Sequence, residues 1–325
     1  MVSGFIDAGR FFLRTFFPRK SMLSGLACIG VDPAAASYVR IVRKGDDNKP
    51  VLAACEAVNL PIEVGAAEAT FRKWARAQRL DSTQCTTVLD ASQYRLLTTD
   101  APDVPQEELR AALRWKIKDL IDFPAQDATI DVFDLPGAQV GANGRPVYVV
   151  AARSEAIRQR VDILNKVKAK LAFIDIVEMS LRNIAGQLTE DAAGVAILSL
   201  SPQGGLITLT KQSKLYLSRS LKVGLEAMPQ PTMRLAALDQ MSLELQRSLD
   251  FFESHFRQPA IRHVYVMPQE AEIPGLLDVL HNSLGLKAAY IDFEQLLDCS
   301  LSLPDGWQAR HGIAIGAALR QELAA

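Results

Sequence analysis

Residues able to do chemistry are thinly spread along this chain. His255, His263, His281 and His311 fall on different predicted elements with no i, i+4 pair among them, which argues against a histidine metal site. No Gly-x-Ser-x-Gly turn is present to present a nucleophile. Cys28, Cys55, Cys85 and Cys299 show no C-x-x-C spacing and read as reduced, mostly buried small residues of a cytosolic compartment. Asp32 ends a predicted strand just before Pro33-Ala34-Ala35-Ala36. There it can be a lone base or metal ligand, or a strand-end carboxylate that accepts the amides of its own turn. Arg247 and Asp250, three apart on a predicted helix, suit a solvated pair. Arg110, Arg114, Trp115, Lys116 and Lys118 give another helix a basic, partly aromatic outer surface, either merely solvated or one wall of a peptide groove.

The bulk numbers exclude several classes. With 36 basic and 37 acidic residues interspersed among 325, the net charge is −1, and nothing marks a nucleic-acid binder. A hydrophobic content of 49% suffices for two real cores. No run approaches the ~18 apolar residues that span a bilayer. Met1–Lys20 is locally greasy through Phe5, Ile6, Phe11, Phe12, Leu13, Phe16 and Phe17, yet Arg10, Arg14 and Pro18-Arg19-Lys20 interrupt it, unlike a secretory signal. It reads as a basic, aromatic-rich helix for an anionic membrane surface or a partner, or as a frayed terminus packed on its own domain.

Elements that position these residues follow from periodicity. Gly25–Asp32, Ser37–Lys44 and Val51–Val58 form a predicted meander, with helix Ala66–Arg79 and buried strand Cys85–Leu89 after it. Residues 94–171 have a different texture. Strand Tyr94–Thr98 precedes a helix from Pro105 to about Asp122 whose inner face is Leu109, Leu113, Ile117, Leu120 and Ile121. Strands Thr129–Leu135 and Pro146–Ala152, joined by Gly137–Arg145, and helix Glu155–Leu171 complete a β-α-β-β-α insertion. Phe173–Val177 and Met179–Leu188 return to strand and helix. A second meander follows at Gly194–Leu200, Leu206–Thr210 and Lys214–Leu221. A long helix, Leu235–Arg257, then presents Leu235, Leu238, Met241, Leu245, Leu249, Phe252 and Phe256 to a core, and Ile261–Met267 follows as a buried strand. Ile273–Leu284, Ala288–Ile291 and Gly312–Arg320 close the chain. The predicted division is an N-terminal segment 1–24, a first lobe 25–93, the insertion 94–171, a return and crossover 172–192, a second lobe 193–310 and a terminal helix 311–325. Two copies of one element order make an α/β protein with internal duplication.

Three stretches carry a resemblance to a known family. Glu107–Pro136, EELRAALRWKIKDLIDFPAQDATIDVFDLP, resembles the inserted subdomain of PilM-like proteins. Leu243–Phe252, LELQRSLDFF, is similar to their E-x-x-R-S-L-x-F-[YF] helix, and His311–Arg320, HGIAIGAALR, to their terminal A-x-G-L-A-L-R helix. The chain thus resembles the PilM branch of the actin/Hsp70/FtsA superfamily, nearest its MshI-type pilus-biogenesis members, over about residues 25–322. The resemblance implies a two-lobed actin-like ATPase fold with internal duplication and an FtsA-like inserted subdomain. It also implies a cytoplasmic protein, peripheral to the inner membrane, that binds the cytoplasmic tail of a PilN-like bitopic inner-membrane protein and thereby meets the pilus motor ATPase. Arg114, Trp115 and Lys118 are the expected partner-facing residues, with Met1–Lys20 as a possible membrane contact.

Many relatives of that kind bind ATP through two hairpin turns whose amides approach the phosphates while carboxylates hold Mg²⁺ through water. The family's first turn, D-x-G-x-x-S-x-K, stands here as Asp32 to Val39: Asp32 and Ser37 match, the glycine is Ala34 and the lysine is Val39. Pro33 removes one donor, and Arg40 faces the other side of the strand from Val39. The second turn, Ser199 to Gly205, offers Ser201, Gly204 and Gly205, with no carboxylate between Asp191 and Glu226. The third element, Met267-Pro268-Gln269-Glu270-Ala271, lacks glycine. The sequence therefore predicts no cofactor, with ATP and Mg²⁺ disfavoured, and a vestigial site at Asp32, Ser37, Ser201, Gly204 and Gly205. A non-catalytic scaffold of a type IV (MSHA-like) pilus or type II secretion-like assembly is the leading expectation, and an ATP-binding switch or slow ATPase in the same machinery the alternative.

Overall fold

The structure is a computed structural model that describes residues 25–43, 49–137 and 144–321; Met1–Lys20 and most of the Gly137–Arg145 loop lie outside the described residues. The described chain divides into two compact units, residues 25–43 with 53–177 and residues 49–52 with 178–321.

In the first unit β1 (Leu26–Val31) pairs antiparallel with β2 (Ala35–Val42), and β3 (Val51–Asn59) completes the meander. Helix α1 (Val64–Ala77) then crosses to β4 (Gln84–Val88), which runs parallel to β1 with Ala27 opposite Cys85. The core between α1 and the sheet holds Ala27, Ile29, Tyr38, Phe71, Ala75 and Leu80, and Trp74 meets Tyr38 edge-on at 6.5 Å. That alternation is what places Asp32 at the tip of the β1–β2 hairpin.

The insertion is a three-stranded antiparallel sheet, β5 (Tyr94–Ala101), β6 (Ala128–Asp134) and β7 (Arg145–Arg153) in the order β5-β7-β6, covered on one face by α2 (Gln106–Lys116). Leu109, Leu113, Ile117 and Phe123 pack on Ile130, Val147 and Val149. The helix ends sooner than its periodicity predicts. Asp122 is drawn to Arg95 at 2.9 Å and Arg153 at 3.6 Å on the strands, and Pro124 bars helical geometry just before it, so Ile117–Phe123 is a turn. Leu120, expected inside, is 56% exposed in consequence.

Helix α3 (Ser154–Lys166) and β8 (Lys170–Asp175) return the chain to the first sheet, Lys170 opposite Gln84. The sequence reading runs this helix to Leu171; the structure stops it at Lys166, because Lys168 takes φ 58 and lets the Ala169 amide donate to the Leu164 carbonyl. That closure is normally a glycine's, so no glycine announced it. Leu164 and Ala169 belong to the first sheet's core, and residue 171 lies inside β8.

The second unit opens with α4 (Val177–Ala185) and repeats the plan. Strands β9 (Val195–Leu200), β10 (Gly205–Lys211) and β11 (Lys214–Leu221) form the meander. Helix α5 (Pro231–Phe256) crosses to β12 (His263–Val266). Helix α6 (Leu276–Leu284), β13 (Lys287–Tyr290), α7 (Phe293–Leu296) and α8 (Trp307–Ala318) follow. The order β11-β10-β9-β12-β13 matches β3-β2-β1-β4-β8 strand for strand, the last two of each being parallel additions. Internal duplication is thus visible in the topology.

On α5 the residues Leu238, Met241, Leu245, Leu249, Phe252 and Phe256 are buried, as their spacing predicts, but Leu235 is 60% exposed. At about 100° per residue it falls roughly 80° round from Leu245, on the margin of the stripe. The β10–β11 turn places Gln212 and Ser213 at φ 51 and 57, and buried Asp191 accepts the Ser213 amide at 2.6 Å.

Candidate functional site: two hairpin turns and the inserted helix

The first turn satisfies itself. Asp32 Oδ1 accepts the amides of Ala34 and Ala35, each at 2.8 Å, and the Asp32 amide donates to the Ala35 carbonyl at 3.0 Å. Of the two uses the sequence left open, the geometry describes the turn-capping one. Ser37 faces Gly30 across the strand pair so closely that a methyl there would lie 2.5 Å from Ser37 Oγ. Val39, in the family's lysine position, is fully buried.

The cation at this turn comes from elsewhere. Arg160 of α3 donates to the Val31 carbonyl at 2.5 Å, in the field of Cys28, Asp90 and Asp32. Burial lowers its pKa from the ordinary arginine value, and those three groups oppose the shift. Sequence reasoning missed it, since α3 belongs to no nucleotide motif. Burial, then neighbouring Cys85 and Asp175, drives the Cys28 thiol far above its ordinary range, and burial pushes Cys85 up to about 12. Both are protonated, unreactive core thiols at neutral pH.

The second turn is closed by main chain. The Ser201 amide and hydroxyl both donate to the Gly204 carbonyl, at 2.8 and 3.0 Å. Segment Gly224–Glu226 lies on top, with the Leu225 amide donating to Ser201 and the Glu226 amide to Pro202. A methyl added at Gly224 would sit 2.2 Å from Gly204 N and 2.5 Å from the Ser201 and Pro202 carbonyl oxygens. Gly205 is equally confined: its added methyl would meet Leu200 at 2.8 Å and the Ser199 carbonyl at 3.1 Å. The two glycines therefore permit close main-chain packing within the unit rather than access for a ligand.

Met267–Ala271, the third element, leads into a pocket lined by Glu270, Glu272, Asp292, Glu294 and Asp305 beside Trp307. Carboxylates at that density repel a polyanion. Taken one at a time, the first turn has its Ala34 and Ala35 amides held by Asp32 and its cation on the Val31 carbonyl, the second is overlaid by Gly224–Glu226, and the third is acidic. The residues do not fit the nucleotide that an actin-like fold implies.

The inserted helix sorts its expected surface residues into two groups. Arg110 reaches Asp131 at 3.3 Å, and Lys116 Nζ donates to the Asp100 carbonyl at 2.7 Å, so both pin the helix to its sheet. Trp115 is 67% exposed, Lys118 is exposed and Arg114 is half-buried. With Leu120 they make an apolar and cationic corner where α2 ends. Leu120 is the residue the helical pattern hid.

The remaining motifs act structurally within the second unit. Glu244 bridges Arg219 of β11 at 3.0 Å and Arg247 at 2.6 Å, so Arg247 pairs with Glu244 and not with Asp250, which accepts from Gln246. The hydrogen bonds and charges of both arginines hold the Glu244 carboxyl below its ordinary range, burial opposing. Tyr216 packs edge-on against Phe252 and Phe256, each at 5.3 Å. In α8, Gly316 lets the helix touch α4: an added methyl would lie within 2.4 Å of the Ser180 carbonyl oxygen, and Asn183 Nδ2 donates to the Gly316 carbonyl at 2.9 Å.

Comparison with known proteins places this geometry. No protein-family model and no curated protein matches the chain. Among solved structures, one described as a PilM-PilN type IV pilus biogenesis complex superposes with a TM-score of 0.67 at 18% identity, covering 91% of this chain and 98% of that one. The cytoplasmic domain of EpsL, an inner-membrane component of the type II secretion system of Vibrio cholerae, gives 0.46 at 10% identity over 89% and 94% of the two chains. A Bacteroides thetaiotaomicron protein with an actin-like ATPase fold gives 0.48 at 9% identity over 85% and 93%. The chain has the actin-like ATPase fold, and likeness at this identity speaks for fold alone. Among the described residues no helix is long and apolar enough to cross a membrane.

Proposed function

We propose that this chain is a non-catalytic scaffold of a type IV pilus, of the MSHA kind with MshI-type relatives, or of a type II secretion-like assembly. It grips the cytoplasmic tail of a PilN-like inner-membrane protein and sits in the cytoplasm, peripheral to that membrane, within reach of the motor ATPase. The observation that carries the reading is Asp32 Oδ1 holding the amides of Ala34 and Ala35, the donors a phosphate would take. The fold shared with the pilus complex supports the class of partner, and the exposed Trp115, Lys118 and Leu120 support the insertion as the gripping part. A pseudo-ATPase with this build works by docking.

Two measurements test it. Equilibrium titration with Mg²⁺-ATP is expected to show no saturable binding; micromolar affinity abolished by Asp32→Ala would establish the ATP-dependent switch instead. Capture of a synthetic PilN-like tail is expected from the full chain and lost in Trp115→Glu/Leu120→Glu. Deleting 94–171 is a poor control, since it removes Leu164 and Ala169 from the first sheet's core.

A further inference from the structure

We infer that the first unit carries a membrane-facing surface of its own, built on the outer side of α1 and the neighbouring ends of α3 and β8, that takes anionic phospholipid headgroups. The topology gathers the charge. Because β1, β4 and β8 are parallel, α1 and α3 both finish at the end of the sheet where β4 and β8 begin, Gln84 opposite Lys170. Arg72, Lys73, Arg76 and Arg79 from the first connection and Lys166, Lys168 and Lys170 from the second arrive there, all exposed. Glu68 alone is held among them, 2.6 Å from Arg72 and 3.3 Å from Lys166, and the Lys166 hydrogen bond and charge lead in keeping its carboxyl below the ordinary range. Glu63, at the helix entry, Asp81 and Asp162 are the other acids nearby in the chain, so the seven cations still prevail over four acids.

The same helix supplies apolar anchors. Residues Gly65, Glu68, Ala69, Arg72, Lys73 and Arg76, at i, i+3, i+4, i+7, i+8 and i+11, line a groove along the outer face of α1. Ile62 and Val64, at the helix entry, are 101% and 80% exposed. Uncovered aliphatics at the entry of a helix whose outer face is cationic suit the headgroup–acyl boundary of an anionic bilayer and add nothing for a nucleic acid or acidic peptide. β1 starts at this cationic end, Ala27 opposite Cys85, and the sequence just before it is the basic, aromatic Met1–Lys20. Asp32 and the departure of the insertion lie at the far ends of β1 and β4, where α1 begins and the Leu60 amide donates to the Ala34 carbonyl, while the cations gather at the opposite end.

The test is cosedimentation of the full chain with phosphatidylcholine vesicles, with and without phosphatidylglycerol. Selective, salt-sensitive binding to the phosphatidylglycerol vesicles is expected. Lys73→Glu/Arg76→Glu/Lys168→Glu/Lys170→Glu should weaken it at least about tenfold, each basic residue near the surface being worth several-fold. Ile62→Ser/Val64→Ser, which keeps every charge, should weaken it too and serves if the charge-reversed chain fails to fold. Arg10→Gln/Arg14→Gln/Arg19→Gln/Lys20→Gln isolates the N-terminal segment and should leave a measurable remainder. Equal binding to both vesicles, binding indifferent to the α1 substitutions, or binding lost wholly with the N-terminal charges overturns the inference. Tail capture without lipid should persist in the α1 variants, which keeps this outcome separate from the scaffold reading.

Discussion

The guanidinium of Arg160 and the carbonyl oxygen of Val31 lie 2.5 Å apart, tying the helix that follows the inserted sheet to the last residue of β1. This bond fixes the base of the Asp32 turn from outside the turn. Replacing Arg160 by Met keeps the packing stem and removes the donor, leaving a half-buried carbonyl unpaired. A loss of about 1.5–3 kcal/mol, the scale for hydrogen bonds to charged groups, is expected in urea unfolding. Amide exchange at residues 32–36 should accelerate beyond the global change.

Gly224 packs by its bare α-carbon on the Ser201–Gly205 turn. Gly224→Ala forces a methyl against main-chain atoms that have no rotamer to move into, and should cost about 1–3 kcal/mol or more by thermal or urea unfolding. A variant as stable as the parent would show that the two segments are not packed as described.

His311 is buried, and burial, then neighbouring Arg310, lowers its pKa below 6.5. As pH falls below 6.5 the unfolded chain takes up this proton before the folded one does. The contribution to stability is therefore complete above that pH and declines as pH drops toward the folded-state value. Urea midpoints at about pH 7.5 and about pH 5.5 should differ less in His311→Asn than in the parent, since the shared carboxylate terms cancel.

Trp115 is mostly exposed and Lys118 makes no packing contribution to the core of the insertion, so Trp115→Ala/Lys118→Ala should change stability by no more than about 0.5 kcal/mol. Leu113→Ala, one turn inside, should cost about 2–5 kcal/mol. Comparable losses in both would contradict the assignment of inner and outer faces.

Much of the fold was legible in periodicity: both meanders, the β-α-β-β-α insertion and the buried stripe of α5 sit close to where alternation and 3.6-residue spacing put them. What stayed hidden was set by tertiary contacts. The Asp122 pairs with Arg95 and Arg153 shortened α2, and Lys168 reversed the chain without a glycine. At the candidate site, Asp32, Ser201, Gly204 and Gly205 could be located from sequence, but whether their amides were free could not. That depended on Asp32's own side chain and on Gly224, nineteen residues beyond the last residue of the second turn. Arg160 was beyond reach for the same reason, its relation to Val31 being one of three dimensions only.

The two halves closed their turns by different means, one with a carboxylate and the other with a stretch of backbone. Exchanging side chains around Asp32 reopens the first. At Ser201–Gly205 no such exchange suffices, because the obstruction has no side chain to remove; rebuilding a phosphate cradle there would require shortening or rerouting the connection through Gly224. Installing a phosphate site in this scaffold is thus a problem of loop length before it is one of residue identity.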